Sequence, residues 1–197
     1  MRTTWRWPRD HDESDLIVSE MDEVIPALVA AVQEQHATGD HYRDDAIRQA
    51  MEHQAQLALR PGPVRVDVIV DPPWSDGQIN SVQVVTGDRP FLVDTVASCL
   101  LRHGWRVEDV RHPIIGVKRD RGTIEAVGMP GRGGCASESW IHIDATAPLG
   151  TDIGQAAEQL RDDLCACLDQ VVCATDDWGA MHEAMLRTAE LVSASSG

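Results

Sequence analysis

Lysine is almost missing from this sequence: Lys118 is the only one among 197 residues. Schiff-base catalysis, a phosphate-cradling lysine loop and lysine-activated hydride transfer would all have to use that one side chain. It stands in Val117-Lys118-Arg119-Asp120, where a strand pattern runs into a turn, and a solvated strand end is its ordinary reading. Basic charge is scarce throughout. Seventeen Lys and Arg face 32 Asp and Glu, a net charge of −15. A phosphate backbone or an anionic lipid surface would be repelled over a Debye length of about 8 Å, so neither nucleic acid nor membrane is expected as a partner. Apolar stretches such as Val24 to Val32 and Phe91 to Leu101 fall far short of the roughly 20 residues that cross a bilayer. The N-terminus has no apolar core of signal-peptide type. A soluble, cytoplasmic chain is the expectation, long enough for one domain with an elaboration or for two small domains.

Chemical motifs are equally sparse. Cys99, Cys135, Cys165, Cys167 and Cys173 are odd in number and lie at no framework spacing, which fits reduced thiols. Cys165 and Cys167 sit two apart in a helical pattern, about 200° from each other, and so do not form a C-x-x-C metal pair. There is no G-x-S-x-G elbow, Walker loop or H-E-x-x-H helix. Gly131-x-Gly133-x-x-Ala136 matches the dinucleotide fingerprint as a string. Pro130 precedes it, however, and a strand pattern follows where a helix N-terminus would have to hold the pyrophosphate. No cofactor is expected in this chain. His142, with Glu138 and Asp144 on the same strand face and His112 on a neighbouring strand, offers zinc-type donors without fixed spacing, and a surface or interface histidine is the reading; no metal is assigned.

What is present is clear periodicity. Residues 1–18 mix charges and tryptophans without a period and read as a loose arm. Residues 19–60 read as a helical hairpin, with Val24, Leu28 and Val32 on one stripe and Ile47, Met51, Ala55 and Leu59 on the next, broken first at Thr38-Gly39-Asp40 and then by Pro61-Gly62-Pro63. From Val64 the period falls to two, with Val64, Val66, Val68 and Val70 alternating with Arg65, Asp67, Ile69 and Asp71, and Ile79 to Thr86 reads as the paired strand. A helix is predicted over about 90 to 103, with Asp88 as an acidic cap candidate and Gly104 closing it. Trp105 to Arg119 is strand-like but interrupted at His112-Pro113. Arg121-Gly122 reads as a hairpin turn into Thr123 to Val127. In Glu138 to Ala145, Ile141 and Ile143 point one way and Trp140, His142 and Asp144 the other. Thr151 is the predicted cap of a long helix whose stripe runs Ile153, Ala157, Leu160, Leu164, Leu168 and Val171. A C-terminal helix is predicted over 176–193. Residues 64–175 then make an α+β domain, one antiparallel sheet with helices packed on one face, preceded by the hairpin.

One loop has a mechanism for binding. Thr86-Gly87-Asp88-Arg89-Pro90-Phe91-Leu92-Val93-Asp94 takes a strand into a helix start, where free backbone N–H groups and the helix dipole suit a carboxylate such as that of an amino acid. A plain helix start is the competing reading. Gly87, Asp88, Arg89, Pro90, Phe91 and Asp94 are the ligand or interface candidates, with Arg89 able to fork onto a carboxylate. Trp140 and His142 are candidates for a contact on the sheet face.

The stretch Ser81 to Val96, with His112-Pro113, Val117-Lys118-Arg119-Asp120 and Glu138-Ser139-Trp140-Ile141-His142-Ile143, resembles the N-terminal region of the large bacterial NAD-specific glutamate dehydrogenases. The resemblance covers roughly residues 40 to 193, through Arg60-Pro61-Gly62, Val64-Arg65-Val66, Asp177-Trp178 and Met181. It implies an ACT-type regulatory domain, a β-α-β-β-α-β relative of the ferredoxin-like fold, within an enzyme that oxidises glutamate to 2-oxoglutarate with NAD. The catalytic and nucleotide-binding segments of that family have no counterpart here. Many ligand-binding ACT domains carry glycine where Phe91 stands, and a phenylalanine crowds that space. Gly87 also stands where relatives usually have an acidic residue.

The resemblance therefore implies a non-catalytic domain for assembly or allosteric control. Its expected partners are a second copy or the catalytic region of a glutamate dehydrogenase, with a free amino acid as the small ligand. The rival is a stand-alone protein–protein module with no small ligand, in which the sheet face or the last helix docks a partner. Independent catalysis by this chain is the weakest of the three.

Overall fold

The computed structural model describes residues 21–35, 44–75, 77–176, 181 and 184–188. The N-terminal arm, the Thr38-Gly39-Asp40 stop and most of the predicted C-terminal helix lie outside them. The alternating valines form β1 (Val64–Ile69), which runs antiparallel to β2 (Asn80–Gly87) with Val66 opposite Val84 and Val68 opposite Val82. Period-two spacing puts these valines on one face of the sheet.

Next comes α3 (Leu92–Arg102), which ends in a Schellman arrangement. Trp105 N–H donates to Leu100 C=O (2.9 Å) and Gly104 N–H to Leu101 C=O (3.0 Å). Gly104 takes a φ of +75°, which glycine adopts at little cost. The strand-like run after it is two strands, β3 (Arg106–Arg111) and β4 (Ile114–Asp120). They divide at His112-Pro113 because proline has no N–H for a ladder. Both lie along the same edge of β6 (Ala136–Thr146), β3 beside its second half and β4 beside its first. Between β4 and β6 in sequence, β5 (Thr123–Gly128) folds back on β4 through Arg121 and Gly122, both at positive φ, the geometry of a two-residue hairpin turn.

The long helix α4 (Ile153–Asp176) buries Ala157, Leu160, Leu164 and Leu168 as its stripe predicts. Its cap lies one residue beyond the predicted Thr151. Asp152 Oδ1 accepts from Gly154 N–H (3.0 Å) and Gln155 N–H (3.2 Å), while the Thr151 hydroxyl turns back to Pro148 C=O.

The sheet order is β1-β2-β6-β4-β5, with β3 also on β6. In a β-α-β-β-α-β succession the last strand follows the second helix. Here the strand outside β2 is β1, which precedes it, and among the described residues no strand follows α4. One face of the sheet packs Val66, Val82, Val84, Ile141, Ile143 and Ala145 against α3 and α4. Each fully buried leucine of that layer stabilises the fold by about 1.5–3 kcal/mol.

The helical hairpin is α1 (Met21–Gln35) and α2 (Asp44–Ala58). It covers the opposite face, packing Val24, Leu28, Met51 and Ala55 on Val85, Ile115, Val117 and Trp140. This corrects the reading of Trp140, His142 and Asp144 as an outward face: Trp140 is 0 % exposed and His142 5 %. Alternation identified their side of the strand correctly but carried no information about what covers it.

Candidate functional site

Where β2 ends, Asp88 N–H still pairs with Ser137 C=O (2.8 Å), so the first loop residue is held to β6. The Asp88 carboxylate does not cap α3 as predicted. It accepts the Ser139 hydroxyl at 2.6 Å, and Ser139 Oγ in turn meets His112 Nε2 at 2.9 Å. Since the only hydroxyl hydrogen goes to Asp88, Nε2 is the donor in the second contact. Burial pushes the His112 pKa below its ordinary value, against the pull of Asp88.

These three residue types resemble a hydrolytic triad, but serine stands between the acid and the base. In a working triad histidine takes that place and accepts the serine proton. A second set, Ser81, His142 and Asp144, fails differently. Ser81 Oγ (3.0 Å) and Asp144 Oδ1 (3.1 Å) meet the same nitrogen, Nε2, while Gln83 Nε2 donates to Nδ1 (3.2 Å). No proton can pass from serine through the ring to the acid. Both sets fasten strands together.

Arg89 is turned inward. Its Nη1 donates to Val172 C=O (3.3 Å), Thr175 Oγ1 (3.0 Å) and Asp176 Oδ1 (2.9 Å), all in the last described turn of α4. The fork that sequence offered to a ligand carboxylate ties the loop to a helix instead. Pro90 is exposed. Phe91 is the N-cap of α3, yet has no side-chain cap bond, takes a left-handed conformation (φ 71°, ψ 3°) and is 68 % exposed. A residue with a Cβ pays roughly 1–2 kcal/mol there. At the end of β2, the buried Thr86 hydroxyl has no hydrogen-bond partner among the described residues.

Asp94, exposed in the first turn of α3, favours the positive end of the helix dipole. It stands at one end of an open groove of about 520 Å³ between α3 and α4, whose lining includes Ser98, Cys99, Arg102, Cys167 and Gln170. Of the candidates from Gly87 to Asp94, Asp94 is the one that lines this groove. Trp140 and His142 are not part of it, because they point to the far side of the sheet beneath the hairpin.

The remaining candidates are also occupied. Glu138 is gripped by Arg119 Nε (2.6 Å) and Nη2 (3.0 Å), and Asp144 by Arg111. Lys118 pairs with Glu125 on the surface at 2.9 Å. The glycine loop at Gly131 leads into β6, not into a helix. Thr86 opens the binding loop and Ser139 stands in the family-like string, but neither was named as a site residue, since a small hydroxyl in an apolar strand carries no pattern of its own. His112 stood out as a zinc-type donor and at the break before Pro113, not as a partner of Ser139.

An antiparallel sheet backed on one face by α3 and α4 and entered through a strand–loop–helix corner is the architecture of an ACT-like domain. The profile of the glutamate dehydrogenase ACT1 domain matches residues 27–164, and the chain belongs to that family. The match begins well before residue 40, inside α1, so it takes in most of the hairpin, and it ends before Asp177-Trp178. No curated protein sequence matches the chain.

Proposed function

We propose that this chain is a non-catalytic domain that assembles and regulates an NAD-dependent glutamate dehydrogenase. Its contact surface is the corner formed by Gly87 to Phe91 and the first turn of α3. The observation that carries this reading is Phe91. An aromatic side chain held at positive φ and left in water is a local cost with no return inside the domain, and strain of this kind clusters at functional sites. The ring is recovered when a protein surface covers it, either a second copy or the catalytic region of the dehydrogenase.

Amino-acid sensing at the same corner is the second reading. The unpartnered Thr86 hydroxyl and the uncapped start of α3 favour it, while the inward-turned Arg89 opposes it. Sedimentation of the 197-residue chain, alone and mixed with the catalytic region of a glutamate dehydrogenase, separates the two when combined with thermal melts across the amino acids. A complex that Phe91→Ser abolishes, with melts unmoved by any amino acid, supports assembly. A melting temperature raised by one amino acid, with no complex formed, supports sensing.

A further inference from the structure

Away from that corner, the groove between α3 and α4 brings together two thiols and a guanidinium. Cys99 and Arg102 lie three apart on α3, hence on one face of the helix, and Cys167 faces them from α4. The same atom, Arg102 Nη2, reaches Cys167 Sγ at 3.2 Å and Cys99 Sγ at 3.6 Å, so the two sulfurs flank one nitrogen. Their access to solvent differs. Cys167 is half-buried on the open groove, whereas Cys99 is 1 % exposed behind it.

We propose that Cys99 and Cys167 are a reversible thiol–disulfide pair that cross-links α3 to α4, with Arg102 as the positioning residue. The oxidant is a hydroperoxide. The Cys167 thiolate attacks one peroxide oxygen, so that an S–O bond forms, the O–O bond breaks, and hydroxide or alkoxide leaves. Cys99 then attacks the Cys167 sulfur. The S–S bond forms, the S–O bond breaks, and oxygen departs as water with the Cys99 proton. Two thiols are oxidised and one peroxide is reduced, and a dithiol reverses the change.

The asymmetry of the site sets this order. Arg102 donates a hydrogen bond to the accessible Cys167 sulfur, and a cationic donor beside a solvent-facing thiol is the setting of a reactive cysteine. Burial pushes the Cys99 thiol up, against the opposing effect of Arg102, which suits a resolving role after the first step. The other cysteines lack this combination. Cys135 is buried and pushed up by burial, Cys165 is pushed up by burial and by Asp169 and Asp162, and Cys173 is exposed on α4.

Hydrogen peroxide treatment of the full chain, followed by alkylation and peptide mass mapping, tests the pairing. The expected product is a single Cys99–Cys167 disulfide, with Cys135, Cys165 and Cys173 alkylated. It is lost in Cys167→Ser, kept in Cys173→Ser, and reversed by dithiothreitol. Because Cys99 variants disturb the core, the second measurement is native-state alkylation of Cys167, expected to slow about tenfold in Arg102→Gln. A disulfide between other cysteines, Cys99 and Cys167 left as thiols, or an alkylation rate indifferent to Arg102→Gln overturns the proposal.

Discussion

Arg119 holds both carboxylate oxygens of Glu138, and with the same guanidinium it reaches Ala58 C=O at the end of α2 (3.0 Å) and Gly122 C=O in the β4–β5 turn (3.0 Å). Both side chains are largely buried, with Arg65 nearby. One residue therefore joins three parts of the fold: the helical hairpin, the β-hairpin and the first half of β6. Removing it leaves a buried carboxylate with Arg65 as the neighbouring cation. Arg119→Met is expected to cost about 3 kcal/mol, near the lower end for breaking a buried pair, as read from urea unfolding.

Gly116 in β4 has no room for a side chain. A Cβ there would overlap the Gly128 carbonyl and the backbone of Met129, and backbone cannot swing aside as a flexible side chain does. Gly116→Ala is expected to destabilise the chain by about 2 kcal/mol. Gly122→Ala, by contrast, meets open space and suffers only from its positive φ, about 1 kcal/mol. Parallel denaturation curves for the two variants check the ranking.

The polar layer under α2 makes stability depend on pH. His142 donates and accepts within a network of Ser81, Gln83 and Asp144, and Gln83 is bonded in turn by His53 and Ala50 C=O. Burial holds the His142 pKa below its ordinary value, and Asp144 only partly offsets this. The unfolded chain therefore binds this proton more readily than the folded one. The sign follows: the contribution of His142 is fully present above about pH 6.5 and is lost as pH falls from there toward the folded-state pKa, by at most about 1.4 kcal/mol per pH unit. His112 adds in the same direction. Chemical unfolding at pH 7.5 and pH 5.5 is expected to show wild type losing more stability than His142→Gln over that interval.

Phe91 carries opposite expectations for the free chain and for the complex. Phe91→Gly relieves the left-handed backbone and is expected to stabilise the free chain by about 1 kcal/mol, while weakening any association through that corner. Thermal melts and sedimentation on the same variant read the two effects separately.

Much of the sheet was legible because its signals are local. The valine alternation fixed β1, Pro113 fixed the break between β3 and β4, and Arg121-Gly122 fixed the hairpin. The helix caps were less so. Asp88 and Asp152 are both acidic residues before a helix, yet Asp152 caps α4 while Asp88 is drawn to Ser139, 51 residues away. The site was legible to the same extent. Gly87 to Asp94 stood out as a strand–loop–helix corner, but the inward fold of Arg89 onto Thr175 and Asp176 depends on where α4 ends, and the burial of Trp140 and His142 depends on which face the hairpin covers. Neither is written in the neighbouring residues.

Sedimentation velocity on wild type and Phe91→Ser, each alone and with the catalytic region of a glutamate dehydrogenase, bears most directly on the role proposed here. Wild type should form a complex in at least one mixture, and the variant should stay monomeric in both with an unchanged circular dichroism spectrum. A wild-type chain that remains a monomer in both, or a complex indifferent to residue 91, would contradict a contact made through this corner.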